Sequence, residues 1–182
     1  MRCIGRGTVV ASDFDPLREI LAGRELVHAA GAEELPESCL EELPTGFLWF
    51  TVGGENYAVP IQHVKEVIRP RRITPVPRSP AALTGIISHR GALIAILDLA
   101  GRLGIVSTTA FAVQRIIVVR KGEGYCGLLV NRVGRVVMRR PSEVEPVPRD
   151  LPVALHEFVS GAIRYKGARL FLLELDKILD IG

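Results

Sequence analysis

Thr84-Gly-Ile-Ile-Ser-His-Arg-Gly-Ala-Leu-Ile-Ala-Ile-Leu-Asp-Leu99 is two apolar strands folded over a tight turn. One strand runs from Leu83 to Ser88 and the other from Leu93 to Leu97. Between them Arg90-Gly91 breaks the apolar run, and glycine supplies the positive φ that such turns need. A strand that is apolar on nearly every residue has both faces covered. The pattern therefore predicts a central hairpin with one arginine lifted to its tip. Taken alone, a turn arginine is a solvated residue.

Around this hairpin the chain keeps the same rhythm. Phe47 to Val52 reads as a strand rich in aromatic and β-branched residues. Gly53-Gly54-Glu55-Asn56 is a turn, and Tyr57-Ala58-Val59 begins the return strand. Pro60 to Lys65 fits a short helix, followed by extended Glu66-Val67-Ile68 and a basic loop, Arg69 to Arg72. Three prolines between Ile73 and Pro80 exclude that connector from a sheet centre, because proline has no N–H to donate. After the hairpin, Asp98 to Gly104 is a short helical turn. Further strands are expected at 113–120, 125–130, 133–138, 158–165 and 170–174, with a Pro-rich loop at 142–152 and a closing helix at 175–180. About ten short strands at regular spacing indicate an all-β sandwich or small barrels, and two barrels of about five strands suit the length.

The N-terminal 45 residues differ. Asp15-Pro16 has the form of an N-cap followed by a first-turn proline, and Leu17, Ile20, Leu21, Val27 and His28 share one helical stripe. A helix is expected from about Pro16 to Ala30, either packed on its own domain or docking a partner. Two prolines and five acids across Glu33–Glu42 make a solvated linker. The division predicted is an N-terminal extension, 1–45, and one domain, 46–181.

The 182 residues suffice for a core without staples. Apolar residues make up 48% and charged residues 24%, with a net charge of +3, the values of a soluble globular protein. Cys3, Cys39 and Cys126 form no CxxC and read as reduced thiols in a cytosolic protein. The start lacks an apolar signal core, and no run approaches the roughly 18 apolar residues of a membrane span, so no membrane insertion is expected.

Catalytic patterns are missing. There is no G-x-S-x-G and no phosphate-cradling G-x-x-x-x-G-K-[ST]. His28, His63, His89 and His156 are scattered without metal spacing, so no metal is expected. Nucleic-acid binding calls for a basic groove with stacking aromatics. Aromatics are 5%, and Phe47, Trp49 and Phe50 lie in an apolar strand, so nucleic acid is not an expected partner.

The order of the residues carries more than any motif. Phe47-Leu-Trp-Phe-Thr-Val-Gly-Gly-Glu-Asn-Tyr-Ala-Val-Pro-Ile61 resembles the start of the CheW-like domain of bacterial chemotaxis. Val64-Lys-Glu-Val67, Ile73-Thr-Pro-Val-Pro77, Leu83 to Gly91 and Leu93 to Leu99 continue the resemblance. Gly127 to Val130, Phe158 to Gly161 and Leu172 to Leu179 complete it. It implies two five-stranded, SH3-like β-barrels around a shared core, with an N-terminal helix and a short C-terminal helix. It also implies a non-enzymatic, cytoplasmic adaptor, with no cofactor, that couples chemoreceptor tips to the histidine kinase CheA in membrane-associated receptor arrays. The kinase's regulatory domain, of the same fold, would dock barrel to barrel. The resemblance places Glu66, Arg90 and Gly91 at or near the receptor-binding surface, with Val64, Gly85 and Ile87 beside them. The same fold in a surface-motility or developmental pathway is the alternative, since the N-terminal helix is similar to leaders on some CheW-like proteins of alternative signalling systems, and a small nucleic-acid-binding barrel ranks below it. The chain departs from the family pattern at His89, where leucine is usual, at Ala95, where proline is common, and at Ala100, where arginine is usual.

Overall fold

The computed structural model describes residues 43–106 and 109–181. The expected N-terminal helix, the acidic linker, Cys3 and Cys39 lie outside them. Ten strands form two five-stranded sheets in the described residues. The strands are β1 (Thr45–Val52), β2 (Glu55–Pro60), β3 (Val64–Ile68), β4 (Leu83–His89), β5 (Ala92–Asp98), β6 (Arg115–Lys121), β7 (Gly124–Val130), β8 (Arg132–Arg139), β9 (Val159–Tyr165) and β10 (Ala168–Leu173). Two short helices follow hairpins, α1 (Leu99–Arg102) after β5 and α2 (Leu175–Leu179) after β10. The first barrel has the order β8-β1-β2-β10-β9 and the second β3-β6-β7-β5-β4.

The strands with the longest apolar runs serve two cores at once. In β1, Leu48, Phe50 and Val52 enter the core shared by both barrels, while Phe47 and Trp49 face the interior of the first barrel. In β6, Ile117 and Val119 enter the shared core, while Ile116 and Val118 fill the second barrel. Alternate side chains leave a strand on opposite sides, so a strand between two cores is apolar at every position. The shared core also takes Leu128 and Val130 of β7, Leu99 of α1 and Ile178 of α2. Each such side chain contributes roughly 1.5–3 kcal/mol when removed from water.

The two barrels repeat one plan. Residue 83 aligned on 159 and residue 99 on 175 match without a gap. Gly85 falls on Gly161, Arg90-Gly91 on Lys166-Gly167, and Asp98-Leu99 on Glu174-Leu175. The backbone agrees: Arg90 and Lys166 have φ of 50° and 49°, and both following glycines have 81°. In both barrels the second strand of this hairpin also pairs in parallel with a central strand, β5 with β7 and β10 with β2. A single bridge covers the outer strand of each hairpin, Thr74 with Ile86 and Glu145 with Ala162.

This topology corrects half of the expectation that the opening hairpin is central, since β5 lies inside the sheet between β7 and β4 but β4 does not. Strand β4 is the last of its sheet, with Thr84 and Ser88 exposed. On β5, Ile94 and Ile96 point into the second barrel, but Leu93 is 72% exposed. The middle strand is β7, flanked by β6 and β5. The other expected strands form within a residue or two. The stretch expected as a helix at 60–65 is a single 3-10 turn, Ile61–His63.

Two polar joints hold the barrels in place. Asn131 follows β7, and its side chain accepts from the Gly53 N–H at 2.9 Å and donates to Thr109. Arg102 donates to the carbonyls of Lys177 at 2.9 Å and Ile178 at 3.3 Å, meeting the C-terminal end of α2.

Tyr57 lies in the shared core with its hydroxyl unpaired. Burial, reinforced by the charge of Glu55, pushes its pKa up to about 12. Its folded-state value thus exceeds the unfolded value near 10. Its contribution to stability is whole below pH about 10 and is lost as pH rises from there through the folded value. Tyr57→Phe should therefore blunt the loss of stability in alkali while leaving stability at neutral pH within about 1 kcal/mol, as read by urea unfolding across pH.

Candidate functional site

The site is built where the second barrel closes. Strands β3 and β4 are the two ends of its sheet. Glu66 of β3 reaches across that seam to the tip of the β4–β5 hairpin. Nε2 of His89 lies 3.1 Å from Glu66 Oε1, and Nη2 of Arg90 lies 3.5 Å from Glu66 Oε2. The carboxylate is thus shared between two cationic or donor groups, one on each oxygen. A carboxylate only accepts, so Nε2 of His89 carries the donated proton.

The three members differ in exposure. Arg90 is 76% exposed, Glu66 21% and His89 7%. His89 and Ala92 form the last pair of the hairpin, so Arg90-Gly91 is a two-residue loop. Both residues have positive φ, the geometry of a type I′ turn. Glycine meets this need freely, and an open space surrounds a Cβ placed at Gly91. An arginine in the left-handed region costs roughly 1 kcal/mol or more. Arg90 is held there by a turn that fixes its direction.

The remaining sequence-predicted residues form the support. Gly85, Ile87 and His89 share the inward face of β4. Ile87 is 3% exposed and packs in the second barrel's core. Gly85 has φ of 150°, and a Cβ there would stand 2.3 Å from the Thr74 carbonyl oxygen. That glycine admits the Thr74–Ile86 bridge, whose two hydrogen bonds measure 2.9 Å each. Val64 is half-buried against the shared core. The structure thus brings Glu66, Arg90 and Gly91 together at the surface and turns Gly85 and Ile87 inward.

Sequence reasoning did not assign His89 a contact. Its signal was parity, since a residue two positions after Ile87 faces the same side of the strand. A second feature lies on the opposite face of β3. Val67, Arg69, Val113, Arg115, Arg132 and Val133 line a cleft of about 840 Å³, with Ala112 beside them. Three arginines and no acid border it. The Arg115 guanidinium is turned to the carbonyls of Val113 and Gln114.

Among the described residues no group of three or more His, Cys, Asp or Glu side chains could hold a metal ion. The Cys126 thiol is buried, and burial pushes its pKa up against the opposing charge of Lys121. No helix of the described residues is long and apolar enough to cross a membrane.

Comparison with known proteins places this arrangement. The CheW-like domain model matches residues 46–181. The chain belongs to the CheW-like domain family. Chemotaxis protein CheW of Rhizobium meliloti is 30% identical over 129 residues, covering 71% of this chain and 83% of that protein. Protein FrzA of Myxococcus xanthus is 29% identical over 137 residues, covering 74% of this chain and 84% of that protein. The crystal structure of the scaffolding protein TtCheW from Thermoanaerobacter tengcongensis superimposes with a TM-score of 0.70 at 28% identity, covering 77% of this chain and 95% of that one. The all-β architecture of two five-stranded barrels is that of the CheW-like domain.

The tight fit at Gly85 makes a direct test of the support. Gly85→Ala should destabilise this CheW-like domain by about 2–3 kcal/mol in urea unfolding, because the new methyl both meets the Thr74 carbonyl and requires a disfavoured φ.

Proposed function

We propose that this protein is a non-enzymatic adaptor of a chemotaxis-type pathway, coupling chemoreceptors to the histidine kinase CheA. One observation carries the reading: a solvent-facing arginine on a fixed positive-φ turn, backed by a shared carboxylate, at the seam of a rigid barrel. Membership of the CheW-like domain family supports this class of partner. Receptor tips are helical bundles, and a helix docks through an apolar contact with a few polar anchors. Arg90 and the neighbouring exposed Leu93 offer both. Arg90 and Gly91 form the surface that meets the receptor, Glu66 backs Arg90 from behind, and Val64, Gly85 and Ile87 shape the surface from beneath. The kinase's regulatory domain, of the same fold, docks on the barrels elsewhere. The protein acts in the cytoplasm and is recruited to membrane-associated receptor arrays.

An adaptor performs no bond chemistry, so its mechanism is geometric. It must present two surfaces whose relative position does not change. The shared core and the Asn131 and Arg102 joints supply that rigidity.

The test is Arg90→Ala. Titration with a receptor-tip fragment should show binding weakened by roughly 1–2 kcal/mol, while the melting temperature stays within a degree or two, because an exposed ion pair adds little to stability. Unchanged affinity for the tip would remove Arg90 from the binding surface.

A further inference from the structure

We propose that His89 is a specificity-determining, positioning residue of this tip: it ties Glu66 into an internal clasp across the barrel seam and leaves Arg90 as the charged group a partner reads. The inference rests on the adaptor reading above and goes one step further, to which member of the tip meets the partner.

The first ground is the seam itself. No backbone ladder joins β3 to β4 in the described residues, so side chains must close the second barrel. The first barrel meets the same need differently. Its end strands are β8 and β9, and Arg139 of β8 donates to the Arg164 carbonyl of β9 at 3.2 and 2.9 Å. The position that matches His89 is Tyr165, whose ring lies 5.8 Å from the Arg139 guanidinium. Each seam thus carries one cross-strand clasp at the root of its hairpin tip.

The second ground is the accounting of Glu66. Its Oε1 is held by His89 and its Oε2 faces Arg90. The His89 contact is the shorter and the more deeply buried of the two, so it fixes the carboxylate. The His89 ring cannot drift to another acceptor, because it is 7% exposed and its Nδ1 has no partner among the described residues. Burying that unpaired nitrogen costs stability. The Glu66 hydrogen bond is the return the geometry offers for it. A leucine at position 89 would fill the space and make no hydrogen bond. Glu66 would then be tied only by the exposed Arg90, a weak constraint, and could turn outward to a partner. With histidine, both oxygens are engaged from within, while Arg90 keeps most of its donors in solvent.

The experiment compares Glu66→Ala in the native protein and in His89→Leu, with His89→Gln as the conservative variant whose amide can also donate to Glu66. Two readouts are taken on the full chain. Without any partner, long-range proton–nitrogen NMR of His89 should show the proton on Nε2, and Glu66→Ala should speed amide exchange in β3 and β4. With a receptor-tip fragment, Glu66→Ala should change affinity by no more than about twofold when residue 89 is histidine or glutamine, and weaken it by about fivefold or more when it is leucine. A proton on Nδ1, an equal effect of Glu66→Ala in all three backgrounds, or glutamine behaving as leucine would overturn the proposal. Failure of the native protein to bind the tip would overturn the adaptor reading and with it the specificity role, while the clasp stands or falls on the partner-free readout.

Discussion

Two barrels in this protein share one core, and the strands between them must satisfy both sides. Phe50 and Ile117 face the shared interior, and Phe47 and Ile116, in the opposite phase of the same strands, face the separate barrels. A polar residue at any of these positions would be buried on whichever face it took. That constraint accounts for the unbroken apolar runs of β1, β6 and β7. It also fixes the two barrels against each other, since neither can rotate without exposing the residues of the common layer. Polar closure by Asn131 and Arg102 then adds direction to an attachment that apolar contact has already made strong.

The functional surface follows from what the shared core leaves over. Central strands are spent on packing, so side chains that can meet a partner are confined to the end strands and hairpin tips. There the sheet edges must also be protected from unwanted pairing. This protein covers its edges with the Thr74 and Glu145 bridges and with side-chain clasps. Closure and the proposed recognition therefore fall on the same few residues. Glu66 closes a seam and backs Arg90 in one arrangement.

Much of this was legible in the sequence. Period-two alternation and turn glycines located nearly every strand, and Asp98 before Leu99 marked a helix start that the structure caps through the Ala100 N–H. The ordered resemblance supplied the barrel pairing. The edge position of β4 was not legible, because an apolar run has the same composition whether one face of it meets a core or two; Leu93 on β5 is likewise apolar and solvent-facing. The meeting of Glu66 with His89 was hidden by a separation of 23 positions along the chain and by a Pro-rich connector whose path depends on the roll of the sheet. The inward turn of Ile87 was available from parity alone. The repeat of residues 83–99 at 159–175 was present in the sequence and unread. It would have shown Lys166-Gly167 as the structural twin of Arg90-Gly91 and tied the two barrels to one plan.

An adaptor is defined by joining what does not otherwise join. Reconstitution of the CheA regulatory domain with a receptor-tip fragment, with and without this protein, reads that directly by analytical ultracentrifugation. The account predicts a complex containing all three components, formed only when this protein is present and lost with Arg90→Ala. Binding of the two partners only in mutually exclusive pairs would contradict it.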